Sequence, residues 1–161
     1  MTTSPRETRS VPHKAIAMTA LIVGLFVILL LDQAVKLLVL HRLGRGPISL
    51  GPMGTVRVVQ TQIWLVRARR RLTLGVIWIL WILAASALAI MCALVPSFGW
   101  SSGLLLGGSL SHAVDTSLRG TVCDYVCLRF WPAFNMADVA LTVGAFGMVV
   151  ELFVAIHKAW L

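Results

Sequence analysis

The chain has 161 residues, of which 58% are hydrophobic and only 12% are charged. A soluble domain carries roughly 25% charged residues, so the composition excludes one. The net charge of +8 has the sign that nucleic acid attracts, but in so apolar a chain it fits anionic lipid headgroups better.

Apolar runs of about 18 or more residues mark membrane spans. Four such runs stand at about 15–40, 72–95, 98–118 and 135–157. They predict one polytopic domain over residues 1–161. It is an all-α membrane protein of four transmembrane helices, with a small β-rich extramembrane segment after the first.

Residues 1–14 are polar and carry Arg6, Arg9 and Lys14. The apolar run behind them is too long for a secretory signal peptide and ends in no small-x-small cleavage site, so it reads as an uncleaved first span. Asp32 and Lys36 lie four apart in it, on one helix face, with the acid N-terminal to the base. The plain reading is a structural ion pair near the headgroups.

The link 41–71 opens with Gly44, Gly46, Pro47, Gly51, Pro52 and Gly54, which break a helix. Residues 55–66, TVRVVQTQIWLV, are rich in β-branched types with partial alternation. They predict one or two short strands on the membrane surface. Arg67, Arg69, Arg70 and Arg71 follow as a basic cluster suited to lipid phosphates.

The second span carries no charge and ends at Pro96. Trp78 and Trp81 read as packing residues. The short connection PSFGW makes spans two and three antiparallel neighbours. In the third span Gly103, Gly107, Gly108, Ser109 and Ser111 allow close helix approach. It ends near Asp115 to Arg119, with Gly120 as a stop signal.

The connection 120–133 holds Asp124 and the aromatic residues Tyr125, Phe130 and Trp131, suited to headgroup level. The fourth span begins after Pro132. Asn135 is a good N-cap, and Asp138 three residues on completes a capping-box pattern. Glu151 lies far along that helix, and no chemistry is assigned to it. Cys92 reads as packing, and Cys123 and Cys127 would pair only in an oxidising compartment. His13, His41, His112 and His157 show no metal-ligand spacing. No metal or cofactor is expected.

Four spans alternate in direction. Asp32 is late in span one and Asp115 late in span three, which runs the same way. Asp124 follows span three, and Asp138 is early in span four, which returns. All four aspartates therefore belong near one membrane face. Two carboxylates held close cannot easily both ionise, so they share a proton. Such a pair can activate water, one taking a proton while the other donates to a carbonyl oxygen, as in aspartic proteases. Which two aspartates pair is open from the residues alone. Spacing favours Asp124 and Asp138, because a connection can fold back over the start of span four.

At these residues the chain resembles the signal peptidase II family. The matches are DQAVK (32–36), GGSL with Asp115, VCDY around Asp124, and WPAFNMAD ending in Asp138. The resemblance implies a four-span aspartyl endopeptidase that removes signal peptides from diacylglyceryl-modified prolipoproteins. By resemblance Asp124 and Asp138 are the catalytic pair. The supporting polar shell is Asn135, Asp115, Asp32, Lys36, His112 and Gln60.

The implied partners are a lipid-modified prolipoprotein and membrane lipids, with no nucleic acid, and the protein is expected as a monomer. The implied location is the cell membrane, multi-pass, with the active site near the outer face. The arginines flanking the spans would put the opposite face inside by charge bias; the motif matches are followed instead.

The chain departs from the family at two places. The usual Asn-x-Gly, Ala and aromatic of the strand region here reads Gln60-Thr61-Gln62-Ile63-Trp64. The usual Gly-Asn-x-x-Asp-Arg here reads Ser111-His112-Ala113-Val114-Asp115-Thr116. A supporting Asn and Arg are thus replaced by His112 and Thr116, and restoring them is expected to leave activity similar or higher. A divergent low-activity paralogue and a non-enzymatic membrane adaptor that binds lipidated peptides are the rival readings. An adaptor would place a cation beside each aspartate.

Overall fold

The computed structural model describes residues 7–42, 46–61 and 70–160. The four expected helices are α1 (Glu7–Arg42), α2 (Arg70–Leu94), α3 (Gly99–Arg119) and α4 (Met136–Trp160). Segments of α1, α2 and α4 are long and apolar enough to cross a membrane. Their outer faces show Phe26, Leu30, Ile79, Leu83, Phe146 and Phe153, as lipid contact requires.

α3 is different because it lies inside the bundle. Its Gly99, Ser102, Gly103, Gly107, Gly108 and Ser111 are buried, so small size matters more there than apolarity. A Cβ on Gly103 would stand 2.7 Å from the Leu21 carbonyl oxygen, and one on Gly107 2.7 Å from that of Leu25. Only glycine lets α1 and α3 come so close. The same every-fourth-residue stripe of α3 continues through Ser111, Asp115 and Arg119. On α1 it faces Leu21, Leu25, Asp32 and Lys36. Two parallel helices thus share one seam, dry in its lower half and polar in its upper half.

Two helix ends have a local cause. α2 stops at Leu94, and Pro96 opens a one-turn 3-10 helix, Pro96–Phe98. α3 closes on Gly120, whose φ of 72° is left-handed and whose N–H donates to the Thr116 carbonyl.

A three-stranded antiparallel sheet has the order β1 (Ile48–Ser49), β2 (Gly54–Thr61), β3 (Val122–Leu128). β2 begins where the β-branched stretch predicts a strand. Gln62, Arg67 and Arg69 lie outside the described residues. β3 was not expected, because residues 120–133 read as a connection. Its register sets Val59 opposite Asp124 and Gln60 opposite Cys123. Beyond β3 the chain turns back, and Phe134 exchanges backbone hydrogen bonds with Val126 at 3.0 Å each way. That return carries Asn135 to the side of β3 that holds Asp124. Cys123 and Cys127 are free thiols. Four residues apart on one strand they are roughly 13 Å apart, beyond disulfide reach.

Candidate active site

The site forms where the ends of α1 and α3, the strand β3 and the start of α4 meet. Two polar clusters share this place.

The first cluster lies between α1 and α3. Lys36 Nζ is 2.5 Å from Asp32 Oδ2 and 2.7 Å from Asp115 Oδ2, with all three side chains fully buried. Arg119, one turn beyond Asp115, pairs with Asp115 Oδ1. Gln33 Nε2 donates to Asp115 Oδ1 at 3.0 Å and to Ser111 Oγ at 2.7 Å. Ser111 Oγ in turn donates to Asp32 Oδ2 at 2.5 Å. Two carboxylates and two cations balance, and the remaining oxygens are hydrogen-bonded. A buried ionic cluster persists only under those conditions. The Asp32–Lys36 pair is therefore part of a buried three-way junction with Asp115.

The first cluster also fastens the second. Asp115 Oδ2 accepts the Cys123 N–H at 3.3 Å, which ties β3 to α3. Asp32 Oδ1 accepts the Ala137 N–H at 3.1 Å, which ties the start of α4 to α1.

The second cluster is built on the head of α4, where the first turn leaves N–H groups without helical partners. Each finds one here. Met136 N–H donates to Tyr125 Oη at 3.0 Å, Ala137 N–H to Asp32, and Asp138 N–H to Asn135 Oδ1 at 3.1 Å. Asn135 N–H donates to Asp138 Oδ2 at 2.9 Å. Asn135 and Asp138 thus form the reciprocal capping box that their spacing predicts. The Asn135 side chain does more. Its Nδ2 donates to Asp124 Oδ1 at 2.7 Å and to the Cys123 carbonyl at 3.3 Å. Asn135 is hydrogen-bonded to both Asp124 and Asp138.

Their surroundings differ from those of the other two aspartates. Asp138 is 39% exposed, and its Oδ1 lies 3.1 Å from His112 Nε2. Asp124 is buried on β3. The buried Tyr125 hydroxyl beside them is pushed up to about 12, chiefly by loss of solvation. The Cys123 thiol is also raised, first by burial and then by the Asp115 charge.

Of the expected residues, Asp32, Lys36, Asp115, His112, Asp124, Asn135 and Asp138 all come together. Gln60 occupies a sheet position next to that of Asp124's partner Val59. Thr116 stands where the family pattern has an arginine, and Arg119 reaches Asp115 from the next turn. Thr116 is buried, and its hydroxyl donates to the His112 carbonyl at 2.8 Å.

Sequence reading also missed Gln33, Ser111 and Tyr125 as members. The i, i+4 relation of Asp115 to Arg119 was a usable signal. Gln33 and Tyr125 offered none beyond being neighbours of Asp32 and Asp124.

A family model of signal peptidase (SPase) II matches residues 24–154. The lipoprotein signal peptidase of Syntrophomonas wolfei is 37% identical over 73 residues, covering 40% of this chain and 49% of that protein. That of Xylella fastidiosa strain 9a5c is 35% identical over 96 residues, covering 50% of this chain and 58% of that protein. The chain thus aligns with about half the length of these curated relatives. Two solved structures described as bacterial membrane enzymes share the fold with a TM-score of 0.63 at 19% identity. One alignment covers 84% of this chain and 87% of the solved one, the other 83% and 92%. Since the family match takes in most of the sequence and both clusters of the site, the chain belongs to the signal peptidase II family.

Proposed function

We propose that this protein is an intramembrane aspartyl endopeptidase that removes signal peptides from diacylglyceryl-modified prolipoproteins, with Asp124 and Asp138 as its carboxylate pair. The observation that carries the reading is that Asp124 and Asp138, from two different elements, are both held by Asn135 at the head of α4. Asp32 and Asp115 are engaged by Lys36 and Arg119. Asp124 and Asp138 meet at Asn135, and Asp138 is open to the outside.

In this reading one carboxylate takes a proton from water as its oxygen attacks the scissile carbonyl. The other gives its proton to the carbonyl oxygen. Collapse of the resulting diol returns a proton to the amide nitrogen as the C–N bond breaks. Asn135 keeps the two carboxylates at the head of α4, where the helix dipole favours negative charge. The apolar outer faces of α1 and α4 would let a substrate's acyl chains arrive through the lipid. The site would face outward from the cell.

The test is single-turnover cleavage of a lipidated precursor by purified D124N and D138N, with thermal melting alongside. Asn still caps a helix but cannot hold or release the proton. Both variants should melt near wild type and lose at least about 10²-fold in rate. Cleavage by both near the wild-type rate would leave the adaptor reading standing.

A further inference from the structure

Asp138 and His112 meet at the open edge of the site. The imidazole Nε2 lies 3.1 Å from Asp138 Oδ1, with 22% of the His112 side chain exposed. The other carboxylate oxygen accepts the Asn135 N–H at 2.9 Å. One oxygen of Asp138 thus accepts a backbone N–H and the other stands within ion-pair distance of the imidazole, surroundings suited to a carboxylate anion. The surrounding charges do not duplicate the role of His112. From α1, Lys36 lies between Asp32 and Asp115. On α3 itself, Arg119 is engaged by Asp115 and Gln33. β3 contributes Asp124 and the neutral Tyr125. The described side chains of α2 bring no acid or base apart from Cys92. Among the described residues, His112 is the basic side chain in contact with Asp138.

We infer that His112 is a positioning residue that holds Asp138 as the ionised member of the carboxylate pair, so that the shared proton rests on Asp124. The inference rests on the aspartyl-protease reading above and makes the two carboxylates unequal. Asp138 takes the proton of the attacking water as the new C–O bond forms. Asp124 gives its proton to the carbonyl oxygen as the π bond opens. In the collapse Asp138 passes its proton to the amide nitrogen, the C–N bond breaks, and Asp124 regains its proton from the diol hydroxyl. The pair ends as it began.

The test is the pH profile of kcat/KM for wild type, H112Q and H112N on a diacylglyceryl-modified prolipoprotein. Gln can offer a neutral N–H near the position of Nε2 but carries no charge. The acid limb of both variants should move toward neutral pH by about one unit, because the carboxylate loses a cationic neighbour. An acid limb that stays in its wild-type place overturns the inference and leaves the carboxylate pair intact. Wild-type cleavage by D124N and D138N would instead remove the pair itself. If the His112 variants unfold, wild type and D138N answer the question by NMR of ¹⁵N-labelled histidine. At one fixed neutral pH the His112 ring ¹⁵N shifts should differ between D138N and wild type; unchanged shifts overturn the inference.

Discussion

Lys36 binds two buried aspartates from two helices, and this makes it the most sensitive side chain of the inner cluster. Lys36→Met would leave Asp32 and Asp115 facing each other with one cation fewer, at a cost of about 3–5 kcal/mol. Asp32→Asn should cost less, because Lys36 keeps Asp115; comparing the two melting curves checks the order. Thr116→Arg is expected to destabilise by about 1–3 kcal/mol, since the buried threonine site has no space for a guanidinium. A thermal melt checks that cost, and cleavage by the same variant checks the separate expectation that activity stays similar or rises.

Tyr125 supplies a pH test. Its raised titration means the neutral hydroxyl is favoured by the fold, so this stability is fully present below about pH 10 and is lost as pH rises toward 12. Tyr125→Phe should remove that alkaline loss. It should also cost about 1–2 kcal/mol at neutral pH through the unpaired Met136 N–H.

The helices were legible because runs of this length and apolarity have few other uses, and their ends were marked by Pro96, Gly120 and Asn135. The sheet was half legible. β2 has a β-branched run, whereas β3 carries Asp124, Cys123 and Cys127, which hide a strand within an apparent polar loop. Its pairing with β2 is a long-range contact that no local pattern announces. The site was legible as a set of aspartates gathered at one end of the helices. The side chains that join them from neighbouring elements, Gln33, Ser111 and Tyr125, were not, since which face they occupy depends on the packing. The seam of α1 and α3 gives the element-scale prediction. Gly107→Leu forces side-chain atoms against the Leu25 carbonyl and Ile28, so the helices must part. Because Lys36 and Asp115 lie further along the same seam, cleavage activity should fall by at least about tenfold along with stability. A variant that is fully active and melts like wild type would mean the two halves of the seam are independent.

At the scale of the whole molecule, the end of α1, the end of α3 and the start of α4 share one end of the bundle, and the C-terminal end of α4 lies at the other. Cysteines placed singly at Val122 and Lys158, in a background without the native three, should be labelled by an impermeant reagent from opposite sides of the membrane. Labelling from one side would contradict the four-span arrangement. One feature of the junction bears on how the protein is made. Asp32 and Lys36 are one helical turn apart, so their contact needs no residue outside the first helix. The segment can enter the bilayer with its two charges already neutralising each other. Asp115 and the head of α4 reach the junction only when later segments follow. An unfinished chain thus holds an insertable first helix, and on the proposed reading its carboxylate pair is assembled only with the fourth helix in place.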